Sequence, residues 1–531
     1  MGDEATNWQG LTRRDALKIG TAAVGGIALS GGLLGGALDA MASPALPGAG
    51  PYGPLGPPDA NGVRMPAGFT SRVVARTGER IGPSGYEFHG LPDGMGTFLA
   101  KDGGFILVSN SELPNVPGQW EIGAGAIRFD RDFRVIDAYP ILKNTSINCA
   151  GGVTPWGTWL SCEETSTGQV FECDPWGRNP SSARPAMGRF KHEAAVIDPI
   201  GRHAFLTEDL GTGCFYRFRP DRYPDLSSGL LDVAIVDDNG TVTWVELPDP
   251  EFTGAIPTRE QIPGATVFKR GEGAWYDDGI VYFATTQDER VYAYHCASEE
   301  IEVLYDGKAL GDASPLHNTD NVTVSPLSGD LYVCEDGDDL QVCLISTGAG
   351  GAAEVAPFLQ FPGEAHRNSE LTGPVFDPTG SRFYVASQRA LPAGAIFEIC
   401  GPFRRTRPEP FSDKAGPEVT IRVLGSPNLR GLVRSGQVFK LSVSDDSPPV
   451  ELDIRLVTKL RRAAGKGSRQ VTIARRKIGT DGSATRRVRI RPARNFRQRL
   501  RKRDVAQARL VVIATDREGN RRKSVKPVRF S

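Results

Sequence analysis

Beyond residue 38 the 531-residue chain has no apolar run long enough to cross a bilayer, which excludes a helical membrane body. Residues 65–400 also lack long helical periodicity, which excludes a helical bundle and leaves short strands between turn signals. Net charge is missing as well, since 62 Lys+Arg face 63 Asp+Glu. That balance hides a split. Residues 401–531 hold 34 Lys+Arg and 11 Asp+Glu, and residues 1–400 hold 28 and 52. An acidic body is joined to a basic tail. The body suits cations; the tail suits an anionic surface or the body itself. Cysteine is scarce, eight in all. Cys334 and Cys343 could join neighbouring strands, while Cys162, Cys173, Cys214, Cys296 and Cys400 have no partner readable from the sequence. A chain of this length is too long for one ordinary core.

The amino terminus reads as an export signal. Thr12-Arg13-Arg14-Asp15-Ala16-Leu17-Lys18 is a twin-arginine phrase, followed by a weakly apolar, Gly/Ala-rich stretch over 19–38 and a small-residue cleavage site at Ala40-Met41-Ala42. The alternative is an uncleaved anchor, although its glycines weaken a spanning helix. The expected domains are a signal peptide (1–42), a Pro/Gly-rich linker (43–64), a propeller (65–400), a second linker (401–416) and a basic domain (417–531). The destination is the periplasm, the cell surface or the medium.

One phrase recurs along the body. A Gly/Asp/Pro turn leads into a short β-branched and aromatic strand that ends on acids or amides. It reaches Glu112, Glu163-Glu164, Glu208-Asp209, Gln287-Asp288, Glu335-Asp336 and Gln388 in turn. Six repeats, about 45–75 residues apart, predict an all-β fold: a β-propeller with six blades favoured over five or seven. The interval 209–277 has room for another blade. Period-two alternation after residue 417, as in Val419-Thr420-Ile421-Arg422-Val423, predicts a C-terminal immunoglobulin-like β-sandwich.

If the repeats close into a ring, their oxygen ligands converge on one axis. Cys149, before Ala150-Gly151-Gly152, lies where backbone can approach closely, and its thiolate could ligate a soft or borderline metal. Glu163 and Glu164 alternate across a strand, so only one can face the axis. Lys191-His192-Glu193 offers a cation, an imidazole and a carboxylate. Arg270-Gly271-Glu272 sets a guanidinium beside a carboxylate, which suits a phosphate clamp or a structural salt bridge. Asp320-Asn321 and Glu370 open further blades. Buried carboxylates without partners cost several kcal/mol, so together these residues imply cations. Hard oxygens favour calcium, and a thiolate with carboxylates admits iron.

The segment from Asn148-Cys149-Ala150-Gly151-Gly152 through Thr154-Pro155-Trp156-Gly157-Thr158-Trp159-Leu160 to Cys162-Glu163-Glu164 resembles the PhoX family of alkaline phosphatases. So do Gly188-Arg189-Phe190, His192-Glu193, Thr207-Glu208-Asp209, Arg270, Glu272-Gly273, Asp320-Asn321 and Glu370 with Thr372-Gly373, in order between about 65 and 400. The resemblance implies a twin-arginine-exported phosphomonoesterase with iron and calcium in the propeller channel and no serine nucleophile. It implies Cys149 as an iron ligand. Glu164 or Glu163, Glu193, Glu272, Asp320 and Asn321 would be metal ligands, with Glu370 a further candidate. Arg270 would hold phosphate oxygens, assisted by Lys143 or Lys191. The expected substrates are small phosphorylated organic molecules, nucleic acid is not the expected primary ligand, and the expected state is a monomer. Anionic cell surface is the expected contact of the basic domain, which is not part of the family core. A calcium-dependent propeller hydrolase of another class, such as a lactonase or phytase, and a non-enzymatic exported binding propeller fit the same acids.

Overall fold

A computed structural model describes residues 44–116, 122–337, 339–347, 353–405, 418–444, 450–461, 468–480, 484–493, 496–497, 500, 507–515 and 521–530. The export segment lies outside them. The chain divides into two compact units, one up to residue 410 and the other from residue 411.

In the first unit each recurring phrase is a hairpin between the innermost and second strands of a sheet. Left-handed glycines close five of these hairpins, such as Gly103 at φ +85° and Gly279 at φ +88°, where a side chain would be strained, and Arg202 at φ +64° takes that place in the third. The innermost strands of the six sheets are Pro92–Leu99, Asn148–Val153, His192–Asp198, Gly271–Asp277, Thr319–Val324 and Leu371–Phe376. Each is followed by antiparallel strands running outward. Neighbouring innermost strands pack on each other in sequence, and the sixth packs on the first, which closes the ring. This is a six-bladed β-propeller. The long interval 209–277 adds a fifth strand, Val242–Glu246, to blade 3 rather than a seventh blade.

The amino-terminal part of the unit completes the ring. Thr70–Arg76 pairs antiparallel with Ala395–Cys400 as the outer strand of blade 6. Upstream of it, Leu46–Pro47 lies parallel to the outer strand of blade 5, and Arg64 donates to the Gln360 side chain at 2.6 Å. Part of the expected 43–64 linker is therefore packed onto the blades. Cys334 and Cys343 sit on adjacent strands, but their register pairs Cys334 with Val342 and Val333 with Cys343. They point to opposite faces, and all eight cysteines are free thiols. The disulfide expectation fails on that one-residue offset.

The second unit has two sheets. One orders Glu418–Leu424, Gln437–Ser444 and Ala484–Ile490; the other orders Ser468–Thr480, Val450–Arg461, Gln507–Thr515 and Arg521–Arg529. Alternate residues, among them Ile421, Leu441, Leu452, Ile454, Val488, Leu510 and Val512, meet in one buried core between them. Among the described residues this is an immunoglobulin-like sandwich of seven strands.

Candidate metal and phosphate site

The same irregularity occurs at the start of every innermost strand. Its pairing with the second strand shifts register at Pro92/Met95, Asn148/Gly151, His192/Ala195, Gly271/Ala274, Thr319/Val322 and Thr372/Val375. A β-bulge frees a residue from the ladder and re-aims its side chain. In five blades the residue so released is Asp93, Cys149, Glu193, Glu272 or Asp320; blade 6 has Thr372 in the matching place. The next residue is Gly94, Ala150, Ala194, Gly273 or Gly373 in five blades, with Asn321 the exception in blade 5, because the innermost strands nearly touch there. A Cβ on Gly94 would lie 2.5 Å from the Ala150 Cα, and one on Gly273 would lie 2.7 Å from the Asn321 Cα. The bulge ring is thus narrow and aims acids inward.

A second ring lies one residue beyond the end of each second strand. Glu112, Glu164, Asp209, Thr286, Asp336 and Gln388 donate their backbone N–H to the carbonyls of Leu91, Ile147, Lys191, Arg270, Asn318 and Glu370, at 2.8–3.2 Å. These bonds place Lys191, Arg270 and Glu370 directly above the bulge ring.

Eight of these residues form one cluster. Ligand atoms lie within 4.8 Å of one another in four overlapping groups: Asp93–Cys149–Glu193, Glu112–Cys149–Glu164, Asp93–Glu112–Glu370 and Glu193–Glu272–Asp320. Both Glu193 oxygens are buried without a nitrogen or oxygen donor, with the Cys149 thiol as their close neighbour. Burial, reinforced by the Glu112 charge, pushes Asp93 up to about 7. Burial and the neighbouring Asp209 push Glu164 up to about 8. Glu193, Glu272, Asp320 and Glu370 are driven well above the carboxylate range, first by burial and then by the other carboxylates. Cys149 rises too, through burial and the charges of Asp93 and Glu193. Without cations this cluster favours protons.

Three cations rim it, each partly exposed. Lys191 Nζ lies 2.6 Å from Glu164 and 3.8 Å from Asp209. Arg270, at φ +57°, grips Asp209 through Nε and Nη2 at 2.8 and 3.1 Å. Its Nη2 also reaches Glu272 at 3.1 Å, and its Nη1 lies 3.6 Å from Asp336. Across the mouth, Arg389 Nη1 lies 2.8 Å from Glu370 and Nη2 lies 4.0 Å from Glu112. Among the described residues, counting Asp209 and Asp336, nine carboxylates and a thiol face three basic side chains.

The structure brings together Cys149, Glu164, Glu193, Glu272, Asp320, Glu370, Arg270 and Lys191. It leaves out three of the predicted residues. Both Glu163 oxygens accept backbone N–H groups, from Ser146 at 3.0 Å and Gln169 at 3.3 Å, and are spent inside the blade. Glu335 is held in the same way by His317 and Gln341. In these acid pairs the first residue staples the blade and the second faces the channel. Asn321 donates to Asp320 at 2.7 Å and accepts the Gly373 N–H at 2.7 Å, so it orients Asp320 and ties blade 5 to blade 6. Lys143 is exposed at the end of the outer strand of blade 1, a full blade width from the axis.

Asp93 and Arg389 belong to the cluster and escaped the sequence reading, and Glu112, read there as a strand-end acid, was not among the expected ligands. Asp93-Gly94 carries the acid-then-small pattern of Glu193-Ala194 and Glu272-Gly273, and that pattern was the available signal. Gln388 donates to both Asp93 and Glu112, at 2.6 and 2.5 Å, and fixes the pair. One paired substitution separates the two glutamates. Glu164→Gln should lower turnover about 10²-fold while the fold melts normally. Glu163→Gln should keep turnover and lose about 1–3 kcal/mol of stability, since an amide N–H would face a backbone N–H. Thermal melts with p-nitrophenyl phosphate assays check this, and the reversed pattern would refute it.

Among known proteins, the family model for alkaline phosphatase PhoX matches residues 137–308 and 292–390. No curated protein matches the chain. Similar solved structures include a structural genomics protein of unknown function from Bacteroides thetaiotaomicron, with 12% identity, TM-score 0.39, and 65% of this chain and 83% of that one covered. The WD40 repeats of RRP9 show 9% identity, TM-score 0.37, and coverage of 66% and 100%. The PQQ-bound aldose sugar dehydrogenase from Streptomyces coelicolor shows 12% identity, TM-score 0.28, and coverage of 63% and 99%. These likenesses are distant, and the fold assignment rests on the strand topology above. The family match spans blades 2 to 5, with most of the outer strand of blade 1 and the first two strands of blade 6, and takes in Cys149, Glu164, Glu193, Arg270, Glu272, Asp320, Glu370 and Arg389: over these residues the propeller of this chain matches the PhoX family of alkaline phosphatases, which are phosphoric monoester hydrolases.

Proposed function

We propose that the propeller is an exported phosphomonoesterase whose channel holds several metal cations. The observation that carries this reading is the eight-residue ligand cluster, with both Glu193 oxygens buried and lacking nitrogen or oxygen donors. Packing does not explain so many buried acids, because uncompensated charges there cost several kcal/mol each. The donor set fits two kinds of cation. Cys149 with Asp93, Glu193, Glu112 and Glu164 suits iron, and the carboxylate-only groups around Glu370 and Asp320 suit calcium. Cations held there would supply Lewis acidity toward a phosphoryl group and activate water.

The remaining steps fall to side chains. Arg270 presents its Nη1 edge, which lies 3.6 Å from Asp336, and Arg389 its outer face to a phosphate entering the mouth. Opposed guanidiniums hold a tetrahedral oxyanion in place and offset charge on its equatorial oxygens. Lys191 is placed to interact with a third oxygen or the leaving group. Asp209 and Asp336 fix the Arg270 plane. No side-chain nucleophile is required. Small phosphorylated molecules suit a narrow mouth set in a closed ring. Export through Arg13-Arg14, in the folded state, accords with metals acquired during folding, and a monomer accords with a ring that closes within one chain.

Element-resolved analysis of the purified exported protein, paired with p-nitrophenyl phosphate turnover, tests the reading. Iron together with calcium is the expected content. Exhaustive chelation should abolish turnover, calcium plus iron should restore it, and zinc or magnesium should not. Full activity after chelation would overturn the proposal.

A further inference from the structure

We propose that the outer face of the three-stranded sheet in the C-terminal unit is a binding surface for a linear phosphodiester polymer. The register places Arg422 directly opposite Lys440, and Lys440 directly opposite Arg487. Strands lie about 4.8 Å apart, so three cations stand in one row within about 10 Å. Like charges directly opposite destabilise a sheet. The neighbouring rows offer no relief: one holds Thr420, Ser442 and Thr485, and the other Leu424, Val438 and Arg489. Among the described residues, Arg422, Lys440, Arg487 and Arg489 make no ion pair. The three strands contain five Lys+Arg and one acid, Glu418, two rows away from Arg422.

The opposite sheet of the same unit is built differently. There Asp453 accepts from Arg455 at 2.9 Å and from Arg475 at 2.7–2.8 Å, and these two guanidiniums hold its carboxyl below the ordinary range. Asp453 thus offsets two cations on that sheet, whereas among the described residues no acid stands beside the row of Arg422, Lys440 and Arg487. An extended anion laid across the strands would meet Arg422, Lys440 and Arg487 in succession, beside the hydrogen-bonded Ser442 and Thr485 hydroxyls, 3.1 Å apart, one of which keeps its proton to donate. Guanidinium groups favour the forked oxygens of phosphate over a single point contact. A phosphatase tethered to such a polymer would stay where phosphate esters are held.

The test uses the full exported chain and poly(glycerol phosphate) as the probe, with binding measured across a salt series. The Arg422→Gln/Lys440→Gln/Arg487→Gln protein should bind about tenfold more weakly or worse. Its salt slope should fall by about 2, at roughly 0.7 for each lost phosphate contact. The Arg521→Gln/Lys523→Gln protein, altered on the other sheet, should bind as the parent does. Removing like charges should leave the melting temperature equal or higher, so weaker binding would not reflect unfolding. Turnover of p-nitrophenyl phosphate should be unchanged in both variants, which separates this proposal from the channel chemistry. Equal weakening by both variants, no binding by the parent, or tighter binding to polyglutamate, heparin or anionic vesicles than to poly(glycerol phosphate) would overturn it.

Discussion

Glu193→Gln should cost about 10²- to 10³-fold in turnover and yet make the cation-free protein more stable. The two effects have one origin. Glu193 sits where no nitrogen or oxygen donor reaches it and where Asp93, Glu272 and Glu164 crowd it with like charge. A bound cation would turn that cost into affinity, and without one the carboxyl must take up a proton to remain folded. The sign follows from the raised folded values. A carboxyl whose folded pKa lies above its unfolded value contributes full stability below the unfolded value, near 4. It loses that contribution as pH rises toward the folded value, about 7 for Asp93 and about 8 for Glu164. The chelated parent should therefore melt at progressively lower temperature between about pH 4 and pH 8. The Glu193→Gln protein should match it near pH 4 and exceed it by about 1–3 kcal/mol near pH 8. With calcium and iron supplied the order should reverse, because the parent gains binding energy that the variant lacks. Melts with and without chelator at the two pH values decide the matter. A variant that is less stable than the chelated parent at pH 8, or that retains full metal content and turnover, would show that Glu193 is not a ligand.

The second large effect is expected at Arg270. Arg270→Ala should lower kcat/KM about 10²- to 10³-fold with iron and calcium content unchanged. Arg270→Lys should recover little of it. The guanidinium fork is held flat by Asp209 and steadied by Glu272 and Asp336, and an ammonium cannot span those partners while presenting an edge to phosphate. Inorganic phosphate should inhibit both variants more weakly than the parent, since product and transition state share the equatorial oxygens. If Arg270→Lys works as well as the parent, or if Arg270→Ala sheds its metals, Arg270 is a structural counter-ion of Glu272 and the phosphate-binding role fails.

Much of the channel was legible one repeat at a time. Six hairpin phrases became six blades because a Gly/Asp/Pro turn followed by a β-branched strand is a local signal, set by backbone preferences within a few residues. Cys149, Glu193, Glu272 and Asp320 were legible from their motifs. Asp93 and Arg389 were not, since an acid before a glycine and an arginine after a glutamine have many uses in isolation. What marks Asp93 is its bulge and the near contact of Gly94 with Ala150, and both are relations between strands. Glu163 and Glu164 show the same limit. Alternation allows only one to face the axis, but which one depends on the N–H groups of Ser146 and Gln169, supplied by the loops that enter the first and third strands of blade 2.

Strand content, the repeat, the charge split and the acids at strand ends were determined by the chain's own order of residues, because each depends on neighbours in sequence. The tertiary structure alone decided that the sixth innermost strand packs on the first, that Thr70–Arg76 closes blade 6, and that two rings of acids share one axis. Only there did it emerge that Arg422, Lys440 and Arg487 stand in a row. The physical reason is common to all of these. Electrostatic cost and ligand geometry depend on distance in space, and a β-fold brings together side chains separated by tens to hundreds of residues only once its register and closure are set.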